Sequence, residues 1–159
     1  MRIFSSLFGC GKRKDDRYNN SGQGNRTKNG IMISHNFKIL IIDDDIDFLK
    51  AFEYGLTQKK IDVLAVESGH GALKALGQEY FDLILLDLRM PVMSGLETFK
   101  KIREIEIEPF VIIMTAYSNE ENVEEVKHME PYAFLDKPFE LGVLMPYIEQ
   151  RIKEKTNGD

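Results

Sequence analysis

The stretch Phe81–Gly95, FDLILLDLRMPVMSG, decides the fold of this 159-residue chain. Leu83-Ile84-Leu85-Leu86 is apolar without a polar break and stops at Asp87. Pro91 then removes a backbone donor, and Gly95 follows. An unalternating apolar run reads as a strand buried on both faces, the usual condition in a parallel sheet. Open α/β sheets place their ligands at the C-terminal ends of their strands. Asp87 is therefore either a polar stop at the sheet edge or a reactive carboxylate on a rigid support.

Working outward, strand and helix signals alternate. Residues 38–42 (KILII) read as a strand that ends in Asp43-Asp44-Asp45. Residues 46–60 read as a helix, capped by Asp44 or Asp45, with Leu49, Phe52 and Leu56 on one face. Strands over 63–66, 110–114 and 132–135 join the central one at 83–86. Helices over 69–80, 95–106, 119–128 and 139–153 separate them, with Ser118 as the cap of the fourth. Gly142 and Pro146 conflict with the last helix and predict a kink or a late start. Five alternations without room for hairpins require a parallel sheet with right-handed crossovers and helices on both faces.

Charge divides the chain. Residues 1–35 hold seven Lys/Arg and two Asp, a net of +5; residues 36–159 hold fourteen Lys/Arg and twenty-four Asp/Glu, a net of −10. The acidic part repels phosphate backbones, so no nucleic-acid partner is expected. A single cysteine, Cys10, excludes an internal disulfide and a thiolate metal cluster. No apolar run is long enough to span a bilayer. These features point to one domain in a reducing, cytoplasmic compartment, spanning residues 36–155 and followed by a disordered end over 156–159. Residues 1–35, rich in Gly, Asn, Ser and basic side chains, read as a disordered leader or a start placed too early, with Met32 just before the folded pattern. A lesser reading is weak membrane contact by residues 1–17, an apolar opening followed by basic residues.

The polar residues collect at one sheet edge. Strand one ends at Asp43-Asp44, strand three at Asp87, strand four at Thr115 and strand five at Lys137. Clustered carboxylates resist ionising together unless a cation compensates them. Lys137 is one such cation. A bound divalent metal is another, and oxygen ligands with few protein contacts suit Mg²⁺. Such a site meets the electrostatic needs of phosphoryl transfer, with a carboxylate as nucleophile. The Thr115 hydroxyl and the Lys137 ammonium then suit phosphoryl oxygens.

The set IIDDD (41–45), LLDLRMPVMSG (85–95), MTAY (114–117) and DKPF (136–139) resembles the receiver domain of two-component response regulators. The resemblance covers about residues 37–153. It implies a flavodoxin-like sheet of order 2-1-3-4-5. It implies Asp87 as phosphoacceptor, and Asp43 and Asp44 as holders of Mg²⁺ or Mn²⁺, with the backbone carbonyl of Arg89 as a further ligand. Thr115 becomes the switch hydroxyl, Phe134 the switch aromatic, and Lys137 the phosphate-binding lysine, joined to Pro138 by a cis bond. Arg89 and Tyr117 fall where family members tune water access to the acyl phosphate; both are bulky, so slow self-dephosphorylation is expected. His128-Met129-Glu130-Pro131 departs from the Ala and Gly usual before strand five.

The implied function is a stand-alone response regulator, not an enzyme in the ordinary sense. Its partners would be a histidine kinase or histidine phosphotransfer protein and an unknown downstream protein. Two alternatives stay open. A pseudo-receiver would dock without taking phosphate. A haloacid-dehalogenase-like phosphatase also forms an aspartyl phosphate, but it places a second Asp where this chain has Arg89. Taken singly, Asp43–Asp45 is no more than a helix cap, Thr115 a strand-end hydroxyl and Phe134 a core aromatic.

Overall fold

The computed structural model describes residues 37–105, 110–116 and 121–157, all within the unit spanning 35–159. Five strands form one sheet: β1 (Lys38–Ile42), β2 (Asp62–Val66), β3 (Leu83–Asp87), β4 (Phe110–Thr115) and β5 (Ala133–Asp136). Every pairing is parallel, and the order is β2-β1-β3-β4-β5. Five helices alternate with them: α1 (Ile46–Thr57), α2 (Gly69–Leu76), α3 (Gly95–Arg103), α4 (Glu121–His128) and α5 (Leu141–Asn157). The expected architecture and strand order are present.

Two cores explain why the strand sequences are apolar without alternation. Leu40, Ile42, Ile84, Leu86, Val111 and Ile113 turn to one face and pack under α2, α3 and α4. Ile39, Ile41, Leu83, Leu85, Ile112 and Met114 turn to the other and pack under α1 and α5. Alternate residues of a strand point to opposite faces, so a sheet covered on both sides requires apolar residues throughout. β3 is central and buried at all five positions. It is therefore the most rigid support the sheet offers.

The helix ends differ from expectation for local reasons. α1 stops at Thr57 because Lys60 turns to a left-handed φ of 61° and closes the helix. α2 stops at Leu76, followed by Gly77. α3 ends at Arg103. α4 begins at Glu121, and Ser118 lies outside the described residues. α5 starts late, at Leu141, as the Gly142–Pro146 conflict allowed, and keeps Pro146 inside. It also runs to Asn157, so residues 156 and 157 are helical rather than a disordered end.

α3 carries a full capping box, Ser94 with Glu97, which fixes where the chain turns away from β3. Gly95 makes that turn possible. A Cβ there would lie 2.1 Å from the Asp87 carbonyl oxygen and 2.5 Å from Leu88 Cα. Only glycine lets α3 begin this close to the main chain of Asp87.

Candidate phosphoacceptor site

Asp87 closes β3 and is 5% exposed. Asp43 follows β1, the neighbour on one side, and is fully buried, while Asp44 beside it is exposed. On the other side β4 pairs Asp87 with Met114, so Thr115 lies one residue beyond, buried at the strand end. Lys137 follows β5, and its N–H donates to the Thr115 carbonyl at 2.8 Å. The Lys137–Pro138 bond is cis. Parallel register alone brings these four strand ends to one edge.

Carboxylate oxygens of Asp43, Asp44 and Asp87 come within 4.8 Å of one another. The Asp43 carboxylate accepts the Asp45 N–H at 3.0 Å and the Lys137 ammonium at 2.5 Å. Lys137 Nζ is 3.5 Å from Asp87 Oδ1. The Arg89 N–H donates to Asp87 Oδ2 at 3.2 Å and fixes the carboxylate's orientation. Burial pushes the Asp87 carboxyl up to about 6 from 3.8. Lys137 opposes that rise, Asp43 adds to it, the Arg89 N–H opposes it, and Asp44 adds the least.

Among the described residues, three clustered carboxylates beside the Lys137 ammonium form a set of hard oxygen donors. That donor chemistry fits Mg²⁺ or Mn²⁺ and does not fit a soft, thiolate-seeking metal. Asp43, Asp44 and Asp87 are the side chains that would hold the ion.

Of the remaining expected residues, Arg89 has an exposed side chain in the loop after β3. Phe134 is half-buried on β5, packed against the core under α2, α3 and α4. Tyr117 lies outside the described residues. Two residues near the site were missed. Phe48, on the first turn of α1, lies under the Lys137 ammonium, 4.6 Å from the ring centroid. Phe139 packs edge-on against it. They stand three residues after Asp45 and two after Lys137, a spacing that does not distinguish a site residue from ordinary core. The unusual segment before β5 is also anchored, since Arg103 Nη2 donates to the Met129 and Glu130 carbonyls at 2.8 and 2.6 Å.

Comparison with known proteins gives the family and the fold. The response regulator receiver domain family matches residues 39–149. The chain belongs to that family. It is 30% identical over 122 residues to sporulation initiation phosphotransferase F of Bacillus subtilis, covering 77% of this chain and 98% of that protein. It is 33% identical over 128 residues to the transcriptional regulatory protein ZraR of Escherichia coli K12, covering 80% of this chain and 29% of ZraR. The receiver domain spans about a quarter of the length of GlrR of the same strain, at 31% identity over 118 residues, 74% of this chain and 27% of GlrR. Among solved structures, a CheY-like receiver domain protein from Methanospirillum hungatei JF-1 aligns with a TM-score of 0.72 at 25% identity, covering 79% of this chain and all of that one. The receiver domain of Francisella response regulator 1452 aligns at 0.69 and 28%, covering 76% and 99%. Among the described residues, no helix is long and apolar enough to cross a membrane.

Proposed function

We propose that this receiver domain accepts a phosphoryl group on Asp87 from a phosphohistidine, in a Mg²⁺- or Mn²⁺-dependent reaction, and signals through a phosphorylation-sensitive protein-docking surface. The observation that carries this reading is the meeting of Asp43, Asp44, Asp87 and Lys137 at one sheet edge. An Asp87 carboxylate oxygen attacks phosphorus, the P–N bond breaks, and its electron pair stays on the imidazole nitrogen. A bound divalent ion would supply neutralisation of the phosphoryl charge. At neutral pH the Asp87 carboxyl, at about 6 without a cation, is largely ionised and nucleophilic, and a bound cation would favour that form further. Lys137 stands ready to pair with a phosphoryl oxygen, and the Thr115 hydroxyl to hydrogen-bond another. Phe134, next to that hydroxyl's strand, relays the change to the face formed by α4, β5 and α5. The Arg89 carbonyl would be a further metal ligand, and bulky residues at positions 89 and 117 would slow hydrolysis of the acyl phosphate.

The partners on this reading are a histidine kinase or histidine phosphotransfer protein upstream and another protein downstream. Likeness to a sporulation phosphotransferase over nearly all of its length supports relay through other proteins. The domain acts in the cytoplasm and is not a turnover enzyme.

The test is intact-mass analysis after incubation with Mg²⁺ and acetyl phosphate. One added phosphoryl group, lost when EDTA is present, is expected. Absence of any adduct points to a docking module without phosphorylation. Many equivalents of phosphate released per protein within minutes points to a phosphatase.

A further inference from the structure

Lys137 has a four-carbon stem and many rotamers, yet its ammonium must face the phosphoacceptor. Its side chain is 18% exposed. On one side it meets Asp43 at 2.5 Å and Asp87 at 3.5 Å. It also meets the face of the Phe48 ring, 4.6 Å from the centroid. An aromatic face attracts an ammonium electrostatically and keeps water from one side of it.

The Phe48 ring is itself held in place. It stacks on Phe52, with centroids 4.2 Å apart and planes at 26°. Phe139 meets Phe48 edge-on at 5.8 Å and Phe52 at 5.3 Å, closing a three-ring cluster. Phe52 is buried in the core under α1 and α5. The Phe48 N–H donates to Asp45 Oδ1 at 3.1 Å, which fixes the first turn of α1 beside the acidic pair. Phe139 stands two residues after Lys137, so the turn that carries the ammonium also locks the ring beneath it. A ring free to rotate would hold nothing; this one is clamped from two directions.

We propose that Phe48 is a positioning residue for Lys137, its ring face holding the ammonium at the phosphoacceptor. This rests on the phosphoacceptor reading of Asp87. The bland account makes Phe48 a packing residue whose only contribution is apolar volume. Leucine and methionine supply comparable volume without a ring face, and tyrosine keeps the ring. Kinetics and geometry therefore separate the two accounts.

The full chain is compared with Phe48→Leu, Phe48→Met and Phe48→Tyr, each first checked for a cooperative thermal transition. In metal-free buffer the Lys137 ε-methylene resonances are read by ¹H–¹³C NMR. They lie upfield in the unsubstituted chain and in Phe48→Tyr, and return to ordinary lysine positions in Phe48→Leu and Phe48→Met. With Mg²⁺ and acetyl phosphate, the Leu and Met variants label roughly three- to tenfold more slowly, and Phe48→Tyr keeps most of the rate. Equal labelling rates in all four proteins, or lysine resonances unmoved by loss of the ring, overturn the proposal. An unsubstituted chain that takes no phosphoryl group overturns the phosphoacceptor reading instead, and the NMR arm then still decides whether Phe48 holds Lys137.

Discussion

Lys137 holds Asp43, at 2.5 Å, more closely than it holds Asp87, at 3.5 Å. Asp43 is fully buried and needs a countercharge. Lys137 therefore stands where a divalent cation would otherwise do that work. On the proposed reading a metal and the lysine would compete for one carboxylate, and a bound metal would leave the ammonium free to turn to Asp87. Lys137→Ala is expected to bind Mg²⁺ several-fold more tightly, because a like charge is gone. The same variant should label far more slowly with acetyl phosphate. Titration calorimetry in low salt decides the first point; weaker Mg²⁺ binding in the variant would sink the competition.

The raised pKa of Asp87 makes a stability statement. The folded state holds this proton more tightly than the unfolded chain, up to about 6 against 3.8. Between those values the native protein binds more protons, so stability falls as pH rises through that window. Below about pH 3 the group is protonated in both states and costs nothing. Asp87→Asn removes the charge and keeps the shape. In EDTA it should raise stability above pH 6 by ~2 kcal/mol and by almost nothing below about pH 3. Urea midpoints from about pH 3 to 7 check this, and a constant offset at all pH values contradicts it.

Far from the site, Asp82 is 2% exposed at the opposite edge of the sheet. It accepts the Lys38 N–H at 2.9 Å and the Lys155 ammonium at 2.6 Å, tying β1 and the end of α5 to β3. Removing the carboxylate strands a buried donor and a lysine. Asp82→Ala should cost ~3 kcal/mol, and Lys155→Met, which leaves the buried carboxylate without its ammonium, a comparable amount of ~3 kcal/mol. Chemical denaturation measures both. Phosphorylation at low temperature should be unchanged in each, which separates this cluster from the site.

Val92 stands in the loop after β3 with a left-handed φ of 71° and 95% of its surface exposed. A β-branched residue gains nothing in water to offset that backbone strain. Val92→Gly or Val92→Asn is expected to stabilise the domain by ~1 kcal/mol. A loss in thermal denaturation would mean that the Val92 side chain has a use within the fold. Gly95, three residues on, is the reverse case, since any side chain there strikes the Asp87 main chain.

What was legible in the chain followed from continuity and position. Leu83–Leu86 announced a strand covered on both faces, and the two cores under opposite helix layers are the reason it reads that way. Asp43, Asp87, Thr115 and Lys137 were found because each ends a strand, and parallel pairing brings strand ends together without further information. Helix ends were less legible. The left-handed turn at Lys60, which closes α1 short of the expected end, has no marker in the residue type, whereas the late start of α5 at Leu141 is one of the two outcomes that Gly142 and Pro146 predicted. Phe48 was invisible as a site residue because an aromatic on an apolar helix face is ordinarily core. Its role depends on the direction of Lys137, which only the folded turn through Pro138 supplies.

The central claim is that Asp87 receives the phosphoryl group. An acyl phosphate is reduced by borohydride to a homoserine, whereas a free carboxylate is not. The phosphorylated protein is therefore treated with borohydride, digested, and sequenced by mass spectrometry across IIDDD (41–45) and FDLILLDLRMPVMSG (81–95). Homoserine at position 87, and unreacted aspartate at 43 and 44, is the predicted result. Aspartate retained at 87 in protein that carries one phosphoryl group by intact mass would contradict it.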